Sequence, residues 1–329
     1  MKELRLGTVG SGVIVHTILD AVQKTDGVSL AAVCSRSKAT GDALAAAYGC
    51  KKVYTDLDAM LKDSDVNTVY IATPNLLHFR QAKQALDAGK HVILEKPFTT
   101  TLADADSLAA LAKKKHLLLA EAVPTPYLPN FQILRDLLPQ IGRVQRVDAA
   151  YNQYSARYDK LLQGELPNIF NPMLGGGCLM DLNFYNAYLN VALFGKPQSA
   201  AYVPNVYPGA ADTSGVLTLE YDGFVSVNAA AKDRDGESYF TIEGEQGSLT
   251  AENGANGLMQ IRLCTDGNET VYNAQPEPNR WLYEVRALTK LFLNEDYDSV
   301  YGNLSPTLLT VDTLFRARKS AGLVFPGDG

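Results

Sequence analysis

Leu4-Arg5-Leu6-Gly7-Thr8-Val9-Gly10-Ser11-Gly12-Val13-Ile14-Val15 takes the chain from a β-type run through a glycine turn. An apolar-periodic stretch with Ile18, Leu19 and Val22 follows. Strand, glycine turn and helix opening, in that order, form the context a dinucleotide fingerprint requires. Gly10 permits the tight turn and Gly12 lets a pyrophosphate approach the backbone, with Val13 and Ile14 opening the helix. The free N–H groups and the positive end of the helix dipole then face the phosphates. Val15 stands where Gly or Ala usually allows close helix–strand contact, which implies a slightly wider helix packing.

The second strand candidate, Val28-Ser29-Leu30-Ala31-Ala32-Val33, leads into Cys34-Ser35-Arg36-Ser37-Lys38. An NAD-preferring site places Asp or Glu at this strand end to accept from the ribose hydroxyls. Here Ser35 and Arg36 stand instead, a hydroxyl and a guanidinium fork that suit a 2′-phosphate. The plainer alternative is a serine N-cap beside a solvated arginine. In its strand–turn–helix context the pair predicts NADP(H) as the preferred cofactor, with NAD(H) as the second choice.

A third clue is His91-Val92-Ile93-Leu94, an apolar run ending in Glu95-Lys96-Pro97. The apolar portion reads as a buried parallel strand, and ligands in open α/β sheets sit beyond the carboxyl ends of such strands. Lys96 is therefore expected at the rim of a cleft, on a backbone stiffened by Pro97. A surface turn with a solvated ion pair is the competing reading of these three residues alone. Another strand, Thr68 to Ala72, runs into Thr73-Pro74-Asn75.

Strands and helices alternate through residue 122, which predicts a doubly wound parallel sheet covered on both faces. Past Val123 the prolines Pro124, Pro126 and Pro129 mark a crossing into a second region. Strands are expected there at Val144 to Tyr154, Ser199 to Val206, Ser214 to Tyr221, Phe224 to Ala231, Tyr239 to Gly244 and Ser248 to Ala251. Asp222-Gly223 forms a hairpin turn between two of them. The expected architecture is α/β, with a Rossmann domain over 1–122 and an α+β domain with a large, mostly antiparallel sheet over 123–329. The free face of that sheet suits a homo-oligomer, a dimer or tetramer.

The 329 residues are 46% apolar and 20% charged, as in an ordinary globular chain of two domains. A net charge of −6, with no basic cluster, argues against a nucleic-acid partner. Cys34, Cys50, Cys178 and Cys264 have no paired spacing, the four histidines form no ligand pattern, and no metal site is expected. No stretch reads as a membrane span or signal peptide, so a cytoplasmic location is expected.

Gly175-Gly176-Gly177-Cys178-Leu179-Met180-Asp181-Leu182-Asn183-Phe184-Tyr185 adds three glycines opening a helix. Such glycines let a backbone approach a ligand closely, and Asp181 and Tyr185, four apart, share one helical face. With Gly10/Gly12, Thr73-Pro74-Asn75…His78 and Glu95-Lys96-Pro97, the chain resembles the Gfo/Idh/MocA family of NAD(P)-dependent oxidoreductases. Within it, the Asp181 and Tyr185 spacing is similar to the branch of dihydrodiol dehydrogenase, NADP-xylose dehydrogenase and glucose–fructose oxidoreductase. Val15 departs from the family's small residue, and Pro126 stands where the dihydrodiol branch tends to place an arginine.

The resemblance implies hydride transfer between nicotinamide and a carbinol or carbonyl carbon of a sugar, polyol or diol. It implies Lys96, Asp181 and Tyr185 as catalytic residues. Gly10, Gly12, Val13, Ile14, Ser35, Arg36, Thr73, Asn75, His78, Glu95 and Lys96 are the expected cofactor contacts. The second-domain strand end faces the nicotinamide in this family, which makes Tyr154 and Arg157 the substrate candidates, with Asn168, Asn171 and Arg234 weaker ones. An NAD-assisted glycoside hydrolase and a catalytically inactive nucleotide-binding regulator exist on the same fold and stand as alternatives.

Overall fold

The computed structural model describes residues 1–328. It divides into two compact units: Met1–Val123 with Asn279–Thr307, and Pro124–Pro278 with the chain from Leu308 onward. The segment 279–307, which follows the second unit's strands in sequence, thus packs with the first, an addition that a single boundary near residue 122 does not include.

The first unit is built on β1 (Leu4–Val9), β2 (Val28–Cys34), β3 (Val53–Tyr54), β4 (Thr68–Ile71), β5 (His91–Glu95) and β6 (Leu119–Ala122). All neighbours are parallel, in the order β3-β2-β1-β4-β5-β6. The order reverses between β1 and β4, the switch point where doubly wound sheets open a crevice at their carboxyl ends. β4 and β6 are buried at every residue, as strands covered on both faces must be. Side-chain caps fix three crossover helices: Ser37 for Lys38–Ala47, Asp56 for Leu57–Leu61 and Thr101 for Leu102–Lys115. Lys113, Lys114 and Lys115 fall in the last turn of that third helix, complementing its dipole. The helix Trp281–Leu293 packs on the helix Val13–Val22 and on β1, burying Leu282, Val285, Leu288 and Phe292.

The second unit carries β7 (Val144–Asn152), β8 (Ser199–Val206), β9 (Asp212–Tyr221), β10 (Phe224–Ala231), β11 (Tyr239–Gly244), β12 (Gly247–Glu252), β13 (Ile261–Thr265) and β14 (Asn268–Tyr272). The sheet order is β14-β13-β12-β11-β7-β10-β9-β8, antiparallel throughout except for the parallel pair β7–β10. Gly223, at φ +86°, turns the β9–β10 hairpin. β7 stops at Asn152, leaving Tyr154 outside the strand. The hairpin β13–β14 is an addition to the expected set; Asp266-Gly267, both at positive φ, is its turn.

The helix Asn183–Phe194 docks on β10 through buried asparagines spaced three and four apart. Asn183 Nδ2 donates to Asn228 O at 3.0 Å, and Asn190 Nδ2 to Asn228 Oδ1 at 2.9 Å. Asn186 Nδ2 reaches Asn183 Oδ1 at 3.0 Å and Ala229 O at 3.3 Å. Asn190, adjacent to the expected site in sequence, thus serves helix docking. Among the described residues no helix is long and apolar enough to cross a membrane.

Candidate active site

In the first unit, Gly10 leaves β1 at φ +115°, and a Cβ there would collide with the carbonyl oxygen of Ala72 at the end of β4. The turn therefore hugs the switch point and requires glycine. Gly12 has ordinary φ of −79°, and a Cβ built on it meets nothing within 4 Å. It precedes a ten-residue helix with no side-chain cap and no acid in its first turn. Val13, which opens the helix, is 74% exposed. An open backbone cradle under an uncapped helix start fits a pyrophosphate. Val15 is fully buried, so the larger side chain is accommodated in the core.

At the end of β2, Ser35 is buried, its hydroxyl 3.2 Å from Ser11 Oγ and 2.8 Å from Thr40 Oγ1. Ser37, not Ser35, caps the next helix. Arg36 is exposed and has no ion pair among the described residues. Burial, then Asp56, pushes the Cys34 thiol up to about 11, which removes it as a nucleophile.

Beyond β4, Thr73 and Asn75 are half-buried, and Thr73 Oγ1 donates to Gln81 Oε1 at 2.6 Å. His78 is fully buried, with Nε2 2.9 Å from Thr73 O and Nδ1 2.9 Å from Pro97 O. Burial pulls its pKa down. This ring pins the loop after β4 to the loop after β5.

Lys96 follows the last residue of β5, and the Lys96–Pro97 peptide is cis. Below it, Glu95 is 7% exposed; its Oε1 accepts from Tyr70 Oη at 2.6 Å and its Oε2 from the Lys96 N–H at 3.2 Å. Glu121, on β6, accepts from Phe98 N at 2.9 Å and from Thr307 Oγ1 at 2.8 Å. Burial pushes Glu121 up to about 8, with the Glu95 charge adding to the effect and Lys96 opposing it. Glu284, buried on the helix Trp281–Leu293, is raised well above the usual carboxyl range by burial and by Glu95 and Glu121. Three acids thus lie under the Lys96 turn. Sequence reasoning found only Glu95, because Tyr70, Glu121 and Glu284 are single polar residues in apolar runs.

In the second unit the three glycines serve the chain itself. A Cβ on Gly176 would stand 2.6 Å from Ile169 O, and one on Gly177, at φ +131°, would strike the Asp212 carboxylate. Asp212 Oδ2 accepts from Leu179 N and from Tyr202 Oη, both at 2.7 Å. A carboxylate from β9 therefore satisfies the helix start that the sequence reading left open for a ligand. The helix also breaks at Leu182: Cys178–Asp181 is one turn, and Asn183–Phe194 follows with Tyr185 N bonding back only three residues, to Leu182 O. Asp181 and Tyr185 lie on either side of that tight turn.

Asp181 forms an ion pair with Lys232, which the sequence reading did not single out. Tyr185 is buried, edge-on to Tyr151 at 5.9 Å and to Phe184 at 5.5 Å. Tyr154 is exposed and donates to Asp159 Oδ1 at 2.5 Å, while Ser155 caps the short helix that carries the exposed Arg157. Asn171 is occupied as a cap for Met173 N, and Arg234 pairs with Asp233. Asn168 is exposed. Among the described residues no cluster of three or more metal-ligating side chains is present.

A 3-2-1-4-5-6 parallel sheet with an open glycine cradle at its switch point defines a dinucleotide-binding Rossmann class. Residues 4–123 match the Gfo/Idh/MocA oxidoreductase family, NAD-binding Rossmann fold, and residues 131–250 match the Gfo/Idh/MocA C-terminal domain. The chain belongs to this family and is an NAD(P)-dependent oxidoreductase. It is 33% identical over 326 residues to the uncharacterized oxidoreductase YgjR of Escherichia coli, covering 99% of this chain and 98% of the relative. It is 32% identical over 326 residues to the scyllo-inositol 2-dehydrogenase (NADP(+)) IolU of Bacillus subtilis, covering 99% of each. The fold is shared with KijD10, a 3-ketoreductase from Actinomadura kijaniata in complex with NADP and TDP-benzene. The TM-score is 0.86 at 21% identity, over 97% of this chain and 98% of that one.

Proposed function

We propose that this oxidoreductase uses NADP(H) and acts on a carbinol or carbonyl carbon of a sugar, polyol or diol. The observation that carries the cofactor preference is Arg36, exposed and without an ion pair among the described residues, after a strand end that has no acid. The substrate class rests on the 32% identity with a scyllo-inositol dehydrogenase along 99% of both chains. Residues 1–122 are proposed as the nucleotide-binding domain, with 279–307 packed on it, and the rest of 123–329 as the substrate-binding and oligomerisation domain. Exposed Val203, Val216 and Val225 on one sheet of the second unit suit a homo-oligomer contact.

When bound, the nicotinamide supplies or accepts a hydride. Gly10, Gly12, Val13 and Ile14 would hold the pyrophosphate, Ser35 and Arg36 the adenosine end, and Thr73 and Asn75 the strand-end side. His78 and Glu95 act by fixing loops, since both are buried and bonded within the chain. A carbinol loses hydride only if its hydroxyl proton leaves too, so a base must reach that oxygen. Tyr185, if a cation lowers its phenol, or Lys96 fills that role, and Lys96 would stabilise the developing alkoxide. Asp181 orients the substrate hydroxyl, with Tyr154 and Arg157 as further substrate contacts.

The test is nicotinamide absorbance with NADP or NAD and a panel of aldoses, polyols and vicinal diols. Lys96→Met should lose about 10³-fold in turnover while nucleotide affinity stays within about 3-fold. Full activity in that variant overturns the assignment of Lys96.

A further inference from the structure

Lys232 directly follows β10, and its main chain is held from two sides. Its N–H donates to Thr213 O at 2.8 Å, and its carbonyl accepts from Ser155 N at 3.0 Å. The side chain is 7% exposed, against 26% for Asp181, its one ion-pair partner among the described residues. The neighbouring charges are already engaged. Asp212 accepts from Leu179 N and Tyr202 Oη. Asp233 accepts from Thr213 Oγ1 at 2.8 Å, Ser214 Oγ at 2.7 Å and Arg234. The Cys178 thiol is kept protonated by burial and by the Asp212 charge.

A buried ammonium without a counter-ion is strongly unfavourable, and removing one partner of such a pair exposes that penalty. The converse matters for the reaction. An ionised carboxylate only accepts hydrogen bonds, whereas a protonated one also donates. We propose that Lys232 is a positioning residue that keeps Asp181 ionised and fixed as the acceptor for the substrate hydroxyl. This rests on the proposed role of Asp181 in the reaction.

Two readouts test it. In the protein without substrate, carbon-13 NMR of the Asp181 carboxyl across pH should show its midpoint move up by about one unit in Lys232→Met. Lys232→Arg should restore it. An unmoved midpoint in Lys232→Met overturns the proposal; if that variant does not fold, the same comparison is made with Lys232→Gln. With a turned-over substrate, the acidic limb of kcat/KM should shift upward in parallel and kcat fall about 10²-fold, with the arginine variant largely rescued. A lysine that merely supports the fold would lower thermal stability and leave both titrations in place. If the wild-type chain turns over no carbinol, the functional reading fails, yet the NMR titration still decides whether Lys232 governs Asp181.

Discussion

Two glycine turns open helices in this chain, one in each unit, and they do opposite things. At Gly10–Gly12 the missing side chain of Gly12 faces empty space, and the helix that follows has no cap. At Gly175–Gly177 the corresponding space is filled by Ile169 O and by the Asp212 carboxylate, which takes up the Leu179 N–H. The first turn leaves helix-dipole charge and bare N–H groups for an outside anion; the second has its anion built in, on β9. A glycine-rich helix opening signals a ligand seat only where the chain supplies no filler of its own.

The largest effect that separates the two turns is on stability. Gly177→Ala would force a Cβ into Asp212 at a backbone angle of φ +131°, and should destabilise by about 3 kcal/mol or more in urea unfolding. Tolerance of alanine there breaks the contrast. Gly12→Ala, with nothing within 4 Å, should leave stability within about 1 kcal/mol. The same variant should weaken nucleotide binding about 10-fold or more by titration calorimetry, a loss of roughly 1.4 kcal/mol; unchanged affinity would mean the open cradle is not a phosphate seat. Arg36→Ala sharpens the first turn further: the ratio of NADPH to NADH affinity should fall by about 10-fold, in line with losing one charge-assisted contact.

The smallest expected effect concerns Glu121, a buried carboxyl that supports the Lys96 turn as Asp212 supports the glycines. Its folded-state pKa, pushed by burial to about 8, lies above its unfolded value, so the native state binds the extra proton. That contribution to stability is complete below pH ~4.5 and is lost as pH rises through about 8. Glu121→Gln should therefore flatten the decline in stability between pH 6 and 7, by about 1 kcal/mol at most. Parallel curves for the two proteins would place the proton on Glu95 or Glu284 instead.

Much of the fold was legible because it rests on local pattern. The apolar runs at β1, β4 and β5, each followed by a turn and an amphipathic helix, specify a parallel sheet, and Asp222-Gly223 marks a hairpin of the second sheet. β13 and β14 escaped because Asn268–Tyr272 is exposed along most of its length and carries no alternation; the turn Asp266-Gly267 was the available signal. The partners of the named residues escaped for a different reason. Lys232, Asp212 and Glu121 are isolated charges whose meaning comes from strands far away in sequence, and no periodicity announces them. The break at Leu182 was likewise hidden, since helix propensity runs unbroken through that stretch. Nothing local in residues 279–307 assigns them to the first unit.

That return segment has a consequence for biosynthesis. Leu4, Leu6, Ile18 and Val22 are synthesised long before Val285 and Leu288, which cover them. At ordinary elongation rates the gap is on the order of ten seconds or more. Throughout it the nascent nucleotide-binding sheet carries an uncovered apolar face. The late arrival is then fastened at several points: the amino-terminal ammonium donates to Leu293 O at 3.1 Å, and Tyr301 Oη to Leu117 O at 2.9 Å. A chain that stalls before residue 279 leaves that apolar face uncovered and is thus a target for chaperones and proteases.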